Sequence, residues 1–419
     1  MKKSLIILLV SVNLFSQVSD SFEPIDVFDL EYVSNTEISP DGSKVLYQRN
    51  FNDIMTDQSF SNIWLINFDG SNNQPITTGN FKDNSPKWSN KGDKFIFKSN
   101  RNGKQQIFLY NLNNNAVQKL TNFQYSIGSL RWSPDDNYIL FSSFIDDKRE
   151  KLIKMPEKPK GAKWNDPPIE ISDLNYKYDS SGFRKPGETQ FFTVPSTGGT
   201  PRQISNIPSE KRSGQGEWVD NNKIIFSANL NEDSDYNTNN TELYILDIIS
   251  GKHEAITDRD GPDFSPKVSN DRSLIAYLGY DDEYLSYQQS SIYVMRKDGS
   301  DKYKIEMDLD RNISNIYWSG NDKRIYFQYD DNGITKIGST TLDGTQETVV
   351  DEVGGLSFSR PYSGGFFSLS KNNRYSFTYG TAYNPADLAT GYKGSKRRIT
   401  NLNKDLFDYK KLGKVEEIW

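Results

Sequence analysis

The run Leu130-Arg131-Trp132-Ser133-Pro134-Asp135-Asp136-Asn137-Tyr138-Ile139-Leu140-Phe141-Ser142-Ser143 decides the fold. An apolar residue leads into Trp-Ser-Pro-Asp, where the proline and the acidic pair favour a tight turn. Beyond the turn, Tyr138, Leu140 and their neighbours form an aromatic and branched run suited to a buried strand. The unit is strand, turn, strand, and the rest of the chain repeats it.

The first copy is Ile38-Ser39-Pro40-Asp41-Gly42, with strands predicted at Val45-Leu46-Tyr47, at Ile63-Trp64-Leu65-Ile66 and towards Pro75-Ile76-Thr77. The second runs from Lys87-Trp88-Ser89-Asn90 through Phe95-Ile96-Phe97 and Gln106 to Tyr110, ending at Lys119-Leu120-Thr121. The third starts at Trp132, but its outer strands arrive late, at Gln190 to Val194 and Arg202 to Ser205. Further copies open at Glu217-Trp218-Val219-Asp220, Lys267-Val268-Ser269-Asn270, Tyr317-Trp318-Ser319-Gly320 and, more weakly, Leu369-Ser370-Lys371-Asn372.

Trp88 and Trp132 lie 44 residues apart, and Trp218 and Trp318 lie 100 apart, or two units of 50. The 86 residues from Trp132 to Trp218 leave an insertion of roughly forty in the third unit, measured against a typical blade of about 40–50 residues. Four strand candidates per unit and seven units predict an all-β, seven-bladed β-propeller with WD40/TolB-like blades of four antiparallel strands. A lone four-stranded sheet cannot bury both faces, and radial packing hides them. The propeller is expected over residues 23–404.

The insertion, about 145–187, differs in composition and carries Trp164, Tyr176, Tyr178 and Arg184, the candidate peptide-contacting residues. Long excursions from compact folds are often functional. A hairpin that merely covers a propeller face is the competing reading.

Among the 419 residues, 13% are aromatic and none is Cys, so disulfides are excluded and stability must come from packing. A net charge of −6 without a Lys/Arg cluster argues against nucleic acid. Lys2 and Lys3, an apolar core from Leu5 to Leu14 and Ser16 read as a signal peptide over 1–17, which places the mature chain in the periplasm or outside the cell. The apolar run is short for a membrane span, and no later stretch could cross a bilayer. At the other end, residues 405–419 read as a polar connector followed by the opening of another domain. Oligomeric state has no signal here.

Nucleophilic catalysis fails on inventory. The one His is His253, expected on a surface turn, and Gly355-Leu356-Ser357-Phe358-Ser359 lacks the second Gly of a nucleophile elbow. The acidic loop from Asp233 to Thr238 starts like a calcium loop but lacks its turn Gly and bidentate Glu. No catalytic, metal or cofactor residue is assigned.

Phe28-Asp29-Leu30-Glu31-Tyr32-Val33-Ser34, followed by Ile38-Ser39-Pro40-Asp41-Gly42, resembles the opening of the S9 (prolyl oligopeptidase-type) serine peptidases, nearest their acylaminoacyl-peptidase and dipeptidyl-peptidase-like branch. Pro167 to Tyr176, with Val194-Pro195 and Gly198 to Gln203, is similar to their third blade. Thr400-Asn401-Leu402-Asn403 through Gly413 to Trp419 resembles the passage into their α/β-hydrolase domain. The Trp-Ser-Pro-Asp repeats are shared with TolB-type propellers. The resemblance implies a propeller that caps a hydrolase active site and admits short or unfolded peptides, with nucleophile, acid and base all in the hydrolase domain. The alternative is a free-standing TolB-like propeller that binds proteins on one face.

Overall fold

The computed structural model describes residues 21–146, 155–166, 168–171, 173–179, 182–207, 212–355, 364–416 and 418. The expected signal peptide, Pro167, residues 356–359 of the elbow-like stretch and Trp419 lie outside them. Seven four-stranded antiparallel sheets follow one another along the chain, six made of four consecutive strands and the third interrupted by a separate two-stranded hairpin between its second and third strands. In the first blade these are Tyr32–Ile38, Lys44–Asp53, Gln58–Asn67 and Gln74–Pro75. The seven-bladed propeller read from the repeat is therefore the fold.

The Trp-Ser-x-Asp turn is built by its own side chains. In the third blade, Ser133 Oγ donates to Asp135 Oδ1 at 2.6 Å and accepts the Tyr138 N–H at 2.9 Å, which starts the second strand. Ser39, Ser269, Ser319 and Ser370 repeat both bonds with Asp41, Asp271, Asn321 and Asn372. The next residue takes a positive φ: 61° at Asp136, 56° at Asp322 and 62° at Asn373. That conformation suits Asp and Asn, whose short side chains bond locally. Its side chain also reaches the preceding blade, since Asp136 Oδ1 accepts from Asn90 N and Nδ2, each at 2.8 Å.

Seven apolar cores fill the seven gaps between neighbouring blades. Between the second and third blades, for example, Ile96 and Ile107 pack with Trp132, Ile139, Phe141 and Phe192. The gap between the seventh blade and the first is closed in the same way, by Leu388 against Val33, Val45, Tyr47 and Ile66. Among the described residues no strand is exchanged to close the ring. Hydrogen bonds do it instead: Ile38 N–H to Ser368 Oγ at 2.7 Å, and Asn403, whose Nδ2 donates to Glu31 O and whose Oδ1 accepts Glu31 N–H, both at 2.8 Å.

The third blade's second and third strands are Tyr138–Asp146 and Gly187–Pro195, so the insertion joins them as expected and carries a small hairpin, Lys177–Tyr178 with Gly182–Phe183. Among the described blade strands, three had no counterpart in the sequence reading: Tyr303–Lys304, Gln346–Val353 and Asn384–Tyr392. The first is two residues long, and the others are rich in polar or small residues. His253 opens the outermost strand of its blade, His253–Ala255, rather than lying in the turn before it. After Asn403 a one-turn helix, Lys404–Phe407, interrupts the connector, and residues 412–416 and 418 form no strand.

Alternation of strand direction gives the propeller two unlike faces. One carries the Trp-Ser-x-Asp turns. The other carries the loops between second and third strands, hence the insertion, and also the approach to each first strand. Residues 21–31 precede a first strand and 401–411 follow a fourth, so both belong to this second face. They meet there: Ser21 bridges Lys411 in parallel, and Lys410 Nζ lies 2.9 Å from Asp26 Oδ2.

Candidate functional site

First strands adjoin one another around the axis and wall the central channel. The residue just before each motif Trp, or its equivalent, occupies the same height in each wall: Glu37, Lys87, Arg131, Glu217, Lys267, Tyr317 and Ser368. Neighbouring blades thereby bring five charges together. Lys87 Nζ is 2.5 Å from Glu37 Oε2, and Glu217 Oε2 is shared by Arg131 Nε at 3.2 Å and Lys267 Nζ at 3.6 Å. The Lys267 ammonium also lies 5.8 Å from the centre of the Tyr317 ring.

The motif tryptophans hold this ring in place from behind. The indole N–H of Trp88 donates to Glu37 O at 2.9 Å, that of Trp132 to Lys87 O at 3.0 Å, and that of Trp318 to Lys267 O at 2.9 Å. Each bond ties a blade to the channel residue of a neighbour. Trp218 is the exception, with a buried Nε1 that finds no acceptor among the described residues.

Burial shapes the ionisation of the ring. It pushes the Lys267 ammonium down to about 8, helped by the Arg131 charge beside it. It opposes the charge on Glu217 too, but Lys267 and Arg131 outweigh it and hold that carboxyl below its usual range. Tyr317 is pushed up, chiefly by burial.

Above the ring, towards the insertion face, lies a cavity of about 580 Å³ lined by Glu37, Lys87, Lys98, Arg131, Phe144 and Tyr317, among others. Lys98 reaches into it with its Nζ donating to Gly128 O at 3.0 Å, and burial lowers its pKa. Phe144 and Thr189, which flank the insertion's two roots, are part of the same lining. The insertion therefore rises from the rim of the cavity.

Of the four residues singled out in the insertion, the structure brings three together. Arg184 donates to Asn175 O at 2.7 Å and its guanidinium stands 5.7 Å from the Tyr178 ring, while Tyr176 stacks on Phe183 at 6.2 Å. Trp164 shares no ring contact with them, although it is as exposed as Tyr176. Other loops of this face also expose large apolar side chains: Met55, Tyr236, Tyr284, Tyr287 and Tyr383. The turn face exposes few, such as Tyr138 and Ile249.

His253 is exposed on the outer strand, edge-on to Tyr244 at 5.9 Å. Among the described residues no cluster of His, Asp and Glu could hold a metal ion, and no helix is long and apolar enough to cross a membrane. The channel ring was missed in the sequence, although it left a signal: its members stand at one fixed phase of the repeat.

The TolB beta propeller domain model matches residues 27–161. Dipeptidyl-peptidase 5 of Porphyromonas gingivalis is 25% identical over 327 residues, covering 75% of this chain and 47% of its own length. The uncharacterized peptidase YuxL of Bacillus subtilis is 26% identical over 215 residues, covering 50% of this chain and 31% of its own length. The chain thus spans less than half the length of these curated relatives. The acylaminoacyl peptidase of Pyrococcus horikoshii superposes with a TM-score of 0.70 at 17% identity, over 92% of this chain and 54% of the other. The chain is a propeller related to those of peptidases, as the resemblance implied.

Proposed function

We propose that this chain is the substrate-gating propeller of an exported prolyl oligopeptidase-type serine peptidase, covering a hydrolase domain and limiting which peptides reach it. The observation that carries this reading is the convergence of four features on one face: residues 21–31, residues 401–411, the insertion and the cavity mouth. A domain joined there would cover the exposed aromatic loops and draw substrate past Trp164, Tyr176, Tyr178 and Arg184, which would contact the peptide. Gating of this kind selects substrates by size without lowering the chemical barrier. No cofactor is required.

The test is to isolate the protein from its native cell and treat it with a serine-reactive fluorophosphonate. A labelled band larger than this 48.0 kDa chain, with a mature N-terminus near residue 18, is expected. An unlabelled protein of this size or smaller would overturn the peptidase reading. It would favour the second, a propeller that binds proteins on its insertion face, for which the TolB-type match over 27–161 is the supporting observation.

A further inference from the structure

We propose that the charged ring in the channel is a binding site for a single carboxylate group, presented from the cavity above it. The ring holds three cations, Lys87, Arg131 and Lys267, against two carboxylates, Glu37 and Glu217. Lys87 has Glu37 to itself. Arg131 and Lys267 must share Glu217, so one positive charge is left without its own partner. A charge drawn partly out of water and unpaired is costly, and an added anion offsets that cost more strongly there than in bulk solvent.

The geometry gives the anion a way in. The side chains of the five charged residues keep between 22% and 28% of their surface exposed, and three of them, Glu37, Lys87 and Arg131, line the cavity, with Glu217 and Lys267 bonded behind Arg131. Lys98 on its wall adds a further cation that pairs with no carboxylate among the described residues. This local excess stands inside a chain of net charge −6, whose overall field repels anions. An anion is therefore favoured where these cations gather, inside the channel. A carboxylate suits the site because Arg131 and Lys267 already converge on one, that of Glu217.

Two sources could supply such a group: a small free acid, or a peptide through its C terminus. The inference rests on the cavity face being the side that meets ligand. It needs no hydrolase, so binding to the purified chain can fail or succeed independently of the peptidase reading.

The experiment is calorimetric titration of the chain with acetyl-glycyl-glycine, with its C-terminal amide and with acetate. The free-carboxylate peptide is expected to bind at least tenfold more tightly than the amide. Acetate binding as tightly as the peptide assigns the site to small acids, and weaker acetate binding assigns it to peptides. Lys267→Met leaves two cations with two carboxylates and should weaken the free-carboxylate ligands about tenfold. Glu217→Gln raises the excess charge and should tighten them. Equal binding of acid and amide, or affinities unchanged in a folded Lys267→Met and in Glu217→Gln, would overturn the proposal. The opposite signs expected of the two variants separate a lost site from a damaged fold.

Discussion

Trp132 donates its indole N–H to the backbone carbonyl of Lys87 at 3.0 Å, so the signature residue of the third blade anchors a channel residue of the second. The fold's most legible residue is thus a tether between blades as well as a core side chain.

Trp132→Phe should keep most of the packing and lose that bond, costing about 1–2 kcal/mol. Trp218→Phe offers a control, because the Trp218 indole N–H has no acceptor among the described residues and there is no such bond to lose. Urea unfolding of both variants should therefore rank Trp132→Phe as the more damaging. Equal losses would show that the tryptophans act through volume alone.

Glu242 stands where the second and third blades place Gln106 and Gln190, whose Oε1 atoms accept from a Thr or Ser hydroxyl and a backbone N–H. Burial pushes the Glu242 carboxyl up to about 7; the Thr257 hydroxyl bond opposes this and Asp263 adds to it. A carboxyl raised in the folded state stabilises fully below its unfolded value of about 4.5 and loses that contribution as pH rises through about 7. Stability should consequently fall by on the order of 2 kcal/mol between pH 5 and 8. In Glu242→Gln the decline should be markedly shallower, which thermal melting across that range measures.

Gly320 replaces the proline of the Trp-Ser-Pro-Asp turn for a reason of space. A Cβ there would sit 1.7 Å from the carbonyl oxygen of Lys371 in the next blade. Gly320→Ala has to push apart two backbones, and an expected loss of more than about 2 kcal/mol would appear as a lowered urea midpoint. Gly103→Ala, at a turn with open space around it, meets no such contact and pays only the milder strain of its positive φ.

The ring is closed by hydrogen bonds and packing rather than a shared sheet, so its seam should open first. Asn403→Ala removes both bonds to Glu31 and should cost roughly 2 kcal/mol. Hydrogen exchange should then quicken selectively in Tyr32–Ile38 and Phe367–Leu369, the first strands on either side of the seam. Uniform quickening across all blades would show that the seam is no weaker than the other gaps.

The sequence by itself determined the number of blades, their order and the site of the insertion. These features are local: a turn whose Ser, Asp and αL residue bond to one another writes itself into five or six consecutive residues, and each copy can be read alone. It also drew attention to the segment of Trp164, Tyr176, Tyr178 and Arg184, because that segment breaks the repeat. Strands such as Gln346–Val353 stayed hidden, since polar outer strands lack the apolar run that marks buried ones. Only the tertiary structure decided that Glu37, Lys87, Arg131, Glu217 and Lys267 form one cluster. They lie as much as 230 residues apart, and their pairing depends on ring closure and on the side from which each blade faces the axis. Charge balance is a property of that shared space, where low dielectric makes one unmatched cation matter, and no single repeat contains it.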